Sequence, residues 1–524
     1  MKFSRISLAT LLAIVCACAS TTPQPIKDAP DGSDGTVKPP ATASSTVAHV
    51  KVIGLSDFHG WLLPLEPKGY KKFFGGIAYL GGMLKGYEKL TDKNSLLLDN
   101  GDMFTGPTES TVLRGEPVIQ AYNMLGVDAA NVANHEFDYG LEILKARASE
   151  ASFPFVSANI TQVGLDTAPT FLKPWEIFER EGIKFGVLGI SYEKTPETTL
   201  STHVQGLEFG PYEAALKKHV PELKKAGADV IVVLFHDATN EIVKVLEKAA
   251  LADIDIVIAG QNHRKEKRKV GDTLIVNPGP FGRSYARFDV KMEKATRKIL
   301  PINFEIIDVT GEVGNPDYAP SAELSAIADS ARQKVKELTG EVIGQLKRPL
   351  PQGRFSDSPV GHLVADSWLA AFPQADFAIC NHGALRQGLG KGDVTFGDIV
   401  SMMPFENNLF IVTLTGKQLK SQLEIDGPVV AGLTWKYKQT KSGRKVIRAV
   451  DSKGRKIVDA RTYSVIINDF MYLGGDGYQF KDLDATPQDT GLSLREPIIR
   501  ALRKAKSEGR ALSPAKGARA TRRR

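Results

Sequence analysis

The stretch KVIGLSDFHG, residues 51–60, joins an apolar run to two side chains that can bind a metal ion, Asp57 and His59. Continuous Val, Ile and Leu are typical of a strand that is buried on both faces. Similar runs alternate with segments of helical pattern along the first half of the chain. They are NSLLLDN, VDAANV, IKFGVLGI, ADVIVVLF, IDIVIAG and TLIVNP. The pattern predicts a layered α/β domain over residues 48–320.

Polar side chains follow five of these runs at the point where each run ends. They are Asp57 with His59, Asp102, Asn134 with His135, His236, and Gln261 with Asn262 and His263. Parallel strands place their carboxyl ends at one edge of a sheet, so we expect these groups to converge there. The other five histidines (His49, His203, His219, His362 and His382) are interpreted as structural. Carboxylate, imidazole and amide ligands without a thiolate suit Zn²⁺ or Mn²⁺, and their number favours two ions over one.

The densest group of polar residues is ANHEFDYG, residues 133–140. One interpretation is a helix N-terminus, in which Asn134 is the cap and the acidic residues favour the helix dipole. The other interpretation is a catalytic site. The local sequence alone leaves both open.

The second half of the chain has its own α/β pattern. The segment PSAELSAIADSARQKVKELTGEVIGQL predicts one helix that joins two domains, with Gly340 as a plausible C-cap. The helical segment VGHLVADSWLAAF and the strands ADFAICN, NLFIVTLTG and TYSVIIND follow it. We therefore predict a linker helix over residues 321–340 and a second domain over residues 341–505.

The two ends of the chain carry all of its net charge of +7, which leaves a neutral body. A neutral body argues against binding to a nucleic-acid polymer. Residues 506–524 are interpreted as a basic, disordered tail that could touch anionic lipid or polymer.

The N-terminus has the pattern of an export signal. A basic start, MKFSR, and an apolar run too short to span a membrane precede Cys18. Residues 1–18 resemble a bacterial lipoprotein signal in which Cys18 is lipidated; the alternative is an ordinary signal peptide cut near Ala19. Residues 19–47 are rich in Thr, Pro, Ser and Gly and predict a flexible tether. Cys380, the remaining thiol, is expected to be a small buried apolar residue.

Motifs in both halves resemble one protein family. In the first half they are Asp57-Phe-His59-Gly, Gly101-Asp102, Asn134-His135-Glu-Phe-Asp138, His236 and Gly260-x-x-His263. These resemble the calcineurin-like metallophosphatases, and more closely the bacterial 5′-nucleotidase and UDP-sugar hydrolase branch. The second-half motifs of that branch are matched by NHGALR (residues 381–386), PFEN (404–407) and NDFMYLGGDGY (468–478). The resemblance covers about residues 50–500.

The resemblance implies a metallophosphatase β-sandwich flanked by helices, followed by a second α/β domain that binds nucleotides. It assigns one metal ion to Asp57, His59, Asp102 and His263, and the other to Asp102, Asn134, His236 and Gln261, with Asp102 as the bridge. The ions would be Zn²⁺, Mn²⁺, Co²⁺ or Mg²⁺. His135 would meet the phosphoryl charge, Asp138 would orient His135, and Glu136 is left as structural.

The resemblance also assigns a substrate site in the second domain. Phe405 and Phe470 would hold a base between their rings. Asn407 and Asp476 would hydrogen-bond the base edge and the ribose, and Arg354 and Arg386 would clamp phosphate or ribose oxygens. Asn381 and Gly432 complete the predicted set.

Three positions depart from the family pattern: Ala133, Ala384 and Gln261. The two alanines replace glycines and are small. At Gln261 an amide oxygen replaces an imidazole, so we expect weaker metal binding and a preference that shifts toward Mn²⁺ or Mg²⁺.

The implied function is a dinuclear-metal phosphohydrolase that releases phosphate from nucleotides. The expected protein is a monomer, held in the bacterial envelope at the outer membrane by its lipid anchor, with its body facing the periplasm. One alternative is a UDP-sugar hydrolase or a 2′,3′-cyclic-nucleotide phosphodiesterase with 3′-nucleotidase activity on the same scaffold. The other is a non-catalytic surface lipoprotein that binds nucleotides.

Overall fold

The structure, a computed structural model, describes residues 46–65, 71–425, 427–514 and 517–523. Its first half contains two large sheets. In spatial order, the first sheet consists of Lys298–Ile299, Ser284–Glu293, Val47–Leu55, Ser95–Asp99, Ala129–Asn131 and Phe155–Val156, with Asn303–Asp308 also paired to Ser284–Glu293. The second consists of Glu266–Val270, Thr273–Asn277, Ile256–Ala259, Val230–Phe235, Ile183–Ile190 and Trp175–Arg180.

Within each sheet, the strands that precede the candidate ligands are parallel to one another. Each sheet therefore brings the carboxyl ends of its strands to one edge, as the sequence predicts. Val52 and Leu98 of the first sheet share one buried apolar core with Val187 and Val232 of the second. Because that core holds the two sheets face to face, loops from both sheets can meet at the same edge.

Helices cover the outer faces of this sandwich. Ile77–Gly82, Glu116–Leu125 and Ala322–Thr339 pack in the apolar cluster on the first sheet. Tyr212–Lys225 and Thr239–Ala249 pack in the cluster on the second. Further helices are Thr108–Thr111, Leu141–Glu150 and Thr195–Thr198. Two small pairs of strands join Lys72–Phe74 to Thr310–Glu312 and Ile160–Gln162 to Leu207–Phe209.

The linker helix predicted over residues 321–340 is present, although the helical segment quoted above does not continue as a helix to Leu346. It runs from Ala322 to Thr339, with Ser321 Oγ accepting a hydrogen bond from the Leu324 backbone N–H at its start. Gly340 is the C-cap, as predicted. The prediction is wrong beyond this residue, because Val342–Leu346 forms a strand paired with Gly392–Thr395. Adjacent Val342 and Ile343 are β-branched and favour a strand where a partner strand is at hand.

The second half is built on a five-stranded sheet. Its spatial order is Pro428–Ala431, Phe377–Asn381, Thr462–Asn468, Asn408–Thr415 and Gln488–Ser493. The helices Pro359–Ala371, Phe396–Met402 and Glu496–Ser507 pack in one apolar cluster on this sheet. The helix Gly416–Leu423 and the hairpin of Leu433–Thr440 with Gly443–Asp451 pack in another. Along the chain, the helices Asp469–Tyr472 and Phe480–Leu483 come between the strands Thr462–Asn468 and Gln488–Ser493. The predicted fold class, a layered α/β sandwich followed by a second α/β region, is confirmed.

The C-terminal segment is ordered where a disordered tail was expected. The helix Glu496–Ser507 extends into it, and the Leu512 backbone N–H donates to the Gln345 carbonyl at 2.8 Å. The strand Ala520–Arg522 pairs in parallel with Leu433–Thr440. The Arg519 guanidinium donates to both carboxylate oxygens of Asp366, at 2.7 and 2.6 Å. These contacts involve residues far away in the sequence, so the composition of the tail did not reveal them.

The predicted signal, Cys18 and most of the predicted tether lie outside the described residues, and the strand Val47–Leu55 begins at the end of that tether. Residues 46–524 form one compact unit, so the domain boundaries given above stay predictions. Among the described helices, none is long and apolar enough to cross a membrane. Cys380 is fully buried within a strand, as expected.

Candidate metal and nucleotide site

Five of the candidate ligands adopt a left-handed backbone conformation. Asp57, His59, Asp102, Gln261 and His263 have φ between 48° and 67°. This region is uncommon for residues other than glycine, and it costs energy that the surrounding structure must offset. Each of these residues lies just beyond a strand end, and the turned backbone aims the side chains toward one another.

His59 and His263 form the first pair of imidazoles. His59 Nδ1 donates to the Thr105 carbonyl at 2.8 Å, which leaves the lone pair on Nε2. That Nε2 atom is 3.0 Å from His263 Nε2. Two nitrogens at about 2.0–2.1 Å from one ion would have a separation of this size. Burial lowers the pKa of His59 well below its ordinary value and also lowers the pKa of His263, which favours the neutral rings that can ligate a metal ion.

His236 and Gln261 form the second pair. His236 Nδ1 donates to the Asn100 carbonyl at 2.7 Å, and its Nε2 atom is 3.0 Å from Gln261 Oε1. Burial lowers the pKa of His236, but the Asp102 and Asp57 carboxylates outweigh this effect and raise it to about 10. Asn134 Oδ1 is buried beside this cluster without a hydrogen-bond partner. The pair therefore lies in a negative environment that favours a cation.

Two buried carboxylates lie between the pairs. Asp102 Oδ2 is 3.2 Å from His236 Nε2 and 3.7 Å from His59 Nε2. Asp57 Oδ1 is 3.5 Å from His263 Nε2 and 3.9 Å from His236 Nε2. Ligand atoms of Asp57, His59 and His263 lie within 4.8 Å of one another, as do those of Asp57, Asp102 and His236. Buried carboxylates, imidazoles with fixed tautomers and an amide oxygen without a partner fit divalent cations.

Glu136 holds the loops that carry these ligands. Its carboxylate accepts hydrogen bonds from the backbone N–H groups of Asp102 at 2.9 Å, Met103 at 2.6 Å and Ala133 at 2.8 Å. It thereby ties the loop of Asp102 to the loop of Asn134. The interpretation of Glu136 as structural agrees with these contacts, although the sequence did not show its partners because the three donors lie on loops that meet only in the fold.

His135 and Asp138 form a hydrogen-bonded pair at the edge of the group of candidate metal ligands, which we call the metal cluster. His135 Nδ1 donates to Asp138 Oδ2 at 2.7 Å. Burial lowers the pKa of His135, but the charges of Asp138 and Asp102 outweigh burial and hold that pKa above its ordinary value. The His135 ring stacks on Phe405 of the second half, with the centroids 6.2 Å apart. The metal cluster and the second half therefore meet at His135.

A cavity of about 170 Å³ opens at this meeting point. Its lining from the first half is Asn134, His135, Asp138, Thr198, Thr199, Leu200, His203 and Gln261. Its lining from the second half is Asn381, Gly383, Ala384, Arg386, Phe405, Glu406, Asn407, Asn468, Phe470 and Asp476. Metal-ligand candidates and the two predicted base-binding phenylalanines thus face one space.

Hydrogen bonds fix the polar wall of the cavity. Asn381 Nδ2 donates to Asp476 Oδ2 at 2.7 Å, and Asn381 Oδ1 accepts from Asn468 at 2.9 Å. Asn407 Nδ2 donates to Asp469 Oδ1 at 2.7 Å. A Cβ atom at position 475 would lie 2.3 Å from Phe470 Cζ, so Gly475 allows the phenylalanine ring to lie against the backbone. The wall is therefore held in shape before a ligand arrives.

The structure does not bring every predicted substrate residue to this cavity. Arg354 is exposed and lines a neighbouring depression with Gly383 and Asp476. Gly432 lies elsewhere: a Cβ atom there would come within 2.6 Å of the Asp376 carbonyl, and its φ is +79°. Close backbone packing thus explains why glycine occupies position 432. Arg386 lines both the cavity and a smaller depression beside His59.

Sequence reasoning missed one segment of the wall, Thr198–His203. His203 Nδ1 donates to the Phe137 carbonyl at 2.9 Å, which holds the segment against the loop of His135. The interpretation of His203 as only structural is therefore corrected: it lines the cavity. The segment is not adjacent to an apolar run, since the preceding run ends at Ile190, and no sequence signal marked it.

Comparisons with known proteins agree with this arrangement. Residues 340–482 match the family model described as 5′-nucleotidase, C-terminal domain. The chain is 29% identical over 469 residues to Endonuclease YhcR of Bacillus subtilis, covering 82% of this chain but only 37% of that protein. It is 27% identical over 433 residues to the 5′-nucleotidase of Vibrio cholerae, covering 73% of this chain and 77% of that one.

A similar solved structure is that of the 5′-nucleotidase precursor from Thermus thermophilus. It has a TM-score of 0.79 and 24% identity, and the match covers 90% of this chain and 99% of the other. The two-sheet sandwich and the second α/β region give the chain the fold of this solved structure, and the sandwich carries a cluster of carboxylates and imidazoles that can hold a metal ion. The chain is similar to 5′-nucleotidases in sequence and in fold, and residues 340–482 match the C-terminal domain of that family.

Proposed function

We propose that the protein hydrolyses phosphoric esters of nucleotides and releases phosphate, using two divalent cations. The observation that carries this proposal is the shared cavity. Asn134, His135 and Gln261 beside the metal cluster line the same space as Phe405 and Phe470. A nucleotide can therefore place its phosphate at the cluster and its base at the aromatic rings.

Asp57, His59, Asp102 and His263 would hold one ion, and Asp102, Asn134, His236 and Gln261 the other. The separations of 3.0 Å within each pair, His59 with His263 and His236 with Gln261, support this division. When bound, the ions would lower the pKa of water and offset charge on the phosphoryl oxygens. The ions would be Zn²⁺, Mn²⁺, Co²⁺ or Mg²⁺, which all accept imidazole and oxygen ligands.

His135 would donate a hydrogen bond to a phosphoryl oxygen. Asp138 fixes the Nδ1–H tautomer, so the protonated ring offers Nε2–H to the substrate. The raised pKa of His135 favours this protonated form. The resulting hydrogen bond strengthens as negative charge develops in the transition state.

The second half would bind the nucleoside. Phe405 and Phe470 offer aromatic faces to a base, and Asn381, Asn407 and Asp476 offer polar groups to its edge and to the sugar. Arg386, which lies between the cavity and His59, would contact phosphate oxygens. Binding from this side positions the phosphate for reaction.

The protein would act outside the cytoplasm, anchored to the envelope through Cys18. The motivation is the N-terminal sequence, MKFSR followed by an apolar run and Cys18. Labelling with a radioactive fatty acid, compared between the wild type and Cys18→Ser, tests this anchor. Equal labelling of the two would exclude it.

A hydrolysis panel tests the function. AMP, ADP, ATP, UDP-glucose, 2′,3′-cyclic AMP and glycerophosphate would each be tested with Mn²⁺, Co²⁺, Zn²⁺ and Mg²⁺. We expect metal-dependent release of phosphate from nucleotides and much less from glycerophosphate, which has no base. Asp102→Asn should abolish turnover, because the shared carboxylate would lose its charge between two cations. Equal rates on glycerophosphate and nucleotides, or full activity of the variant, would contradict the proposal.

A further inference from the structure

The C-terminal strand completes a three-stranded sheet whose outer face is basic. In Leu433–Thr440 the side chains of Leu433, Trp435 and Tyr437 are buried, whereas Lys436 and Lys438 are exposed. The strand Gly443–Asp451 pairs on one side of this strand and Ala520–Arg522 on the other. Alternation in the central strand therefore directs its lysines outward and its aromatic rings inward.

Cations of two strands, Leu433–Thr440 and Gly443–Asp451, lie on this outer face. The C-terminal segment adds cations only at its edge, because Arg522 is the register partner of Tyr437 and leaves its strand on the opposite side. Arg448 is the direct cross-strand partner of Lys436. Lys438 lines a shallow groove together with Arg522 and Arg523 of the C-terminal segment. We define the basic sheet face as the exposed cations Lys436, Lys438 and Arg448 of the outer face, together with Arg522 and Arg523 of the adjoining groove.

None of these five cations forms an ion pair with another residue of the described chain. The surrounding exposed cations differ in this respect: Lys445 is 2.7 Å from Glu424, and Arg455 is 2.6 Å from Asp451. Like charges opposite each other on neighbouring strands destabilise a sheet. An external anionic surface would relieve this repulsion.

The C-terminal strand is held in place firmly enough to build such a face. Ala520 is 3% exposed, and the Trp435 backbone N–H donates to the Arg519 carbonyl at 2.9 Å. The Arg519 guanidinium also donates to the Val430 carbonyl at 2.7 Å, in addition to its two bonds with Asp366. Arg519 thus anchors the strand, while Arg522 and Arg523 remain exposed.

We propose that the basic sheet face docks on anionic phospholipid headgroups. Its charge is complementary to such a surface, and Ile447, 40% exposed, adds an apolar side chain to the groove. A single-stranded nucleic acid would be the other polyanion to consider. Such a partner is disfavoured because the aromatic residues of the central strand, Trp435 and Tyr437, are buried and offer no stacking surface.

Sedimentation with vesicles tests this proposal. The full chain carrying Cys18→Ser, which removes the predicted lipid anchor, would be mixed with vesicles of phosphatidylcholine alone or in equal parts with phosphatidylglycerol. We expect binding to the anionic vesicles only, and weaker binding at high salt. Lys436→Glu with Lys438→Glu, or Arg522→Glu with Arg523→Glu, should each weaken binding by ~10-fold or more.

The matched control is Lys217→Glu with Lys218→Glu, which makes the same change in charge on a helix of the first half. The control should bind anionic vesicles like the parent chain, and the thermal melting of each variant verifies its fold. Binding of the face variants that equals that of the control would overturn the proposal. The proposal would also be overturned if the chain does not bind vesicles but binds a single-stranded oligonucleotide through these residues. The face would then be assigned to nucleic acid.

Discussion

Gln261 Oε1 lies 3.0 Å from His236 Nε2, so an amide and an imidazole share one side of the metal cluster. On the other side, two imidazole nitrogens of His59 and His263 are equally close. The two proposed metal positions therefore differ in donor chemistry. Imidazole favours Zn²⁺ and Co²⁺, whereas oxygen donors favour Mn²⁺ and Mg²⁺.

Gln261→His should make the second position retain Zn²⁺ more strongly, because it replaces an oxygen donor by a nitrogen. After dialysis against a chelator, we expect the wild type to lose one of two ions first and the variant to keep both. Metal analysis by mass spectrometry measures this difference without reference to activity. His219→Gln, on a helix away from the cluster, is a control for general effects of His/Gln exchange. Indistinguishable retention by wild type and Gln261→His would remove Gln261 from the ligand set.

His135→Ala should lower kcat by a factor on the order of 10²–10⁴ while leaving the metal content unchanged. The ring contacts Asp138 and stacks on Phe405, and its contribution is expected mainly in the transition state. Steady-state kinetics together with metal analysis separate these effects. A variant that loses metal but keeps a normal kcat per bound ion would identify His135 as a ligand instead.

Phe405→Ala and Phe470→Ala should each raise KM for nucleotides, since loss of one stacking contact costs about 1–3 kcal/mol. Hydrolysis of p-nitrophenyl phosphate, which lacks a base, should be much less affected. Phe410→Ala serves as a control, because Phe410 lies in the same half and packs against Tyr472 instead of lining the cavity. If the two cavity variants lose activity equally on both substrates, the rings do not bind a base.

Glu136→Ala should destabilise the fold and reduce metal binding. Three backbone N–H groups would lose their acceptor, and each buried donor left without a partner costs about 1–3 kcal/mol. Thermal unfolding and metal titration measure the two effects. Glu109→Ala, at the start of a neighbouring helix, is the control. A Glu136→Ala protein with unchanged stability and metal affinity would show that the two loops keep their positions without this carboxylate.

The local sequence predicted those features of the fold and the site that depend on neighbouring residues in the chain. Apolar runs of β-branched residues predicted the buried strands, since a strand covered on both faces must be apolar throughout. Polar residues directly after those runs predicted that Asp57, Asp102, Asn134, His236 and the residues from Gln261 to His263 would meet. The parallel pairing of the strands makes this convergence a consequence of topology.

Other features depended on contacts between distant segments, which no window of sequence contains. The strand Val342–Leu346 forms because Gly392–Thr395 offers it a partner, although its residues continue a helical pattern. The C-terminal residues are ordered by Asp366 and the edge of the hairpin, although their composition is that of a solvated tail. His203 reaches the cavity through the Phe137 carbonyl, and Gly432 does not reach it because it packs on Asp376. The sequence by itself determined the strands, the types of the candidate ligands and their order along the chain. Only the tertiary structure decided which side chains share the cavity, because that depends on how the two halves pack and on hydrogen bonds between their loops.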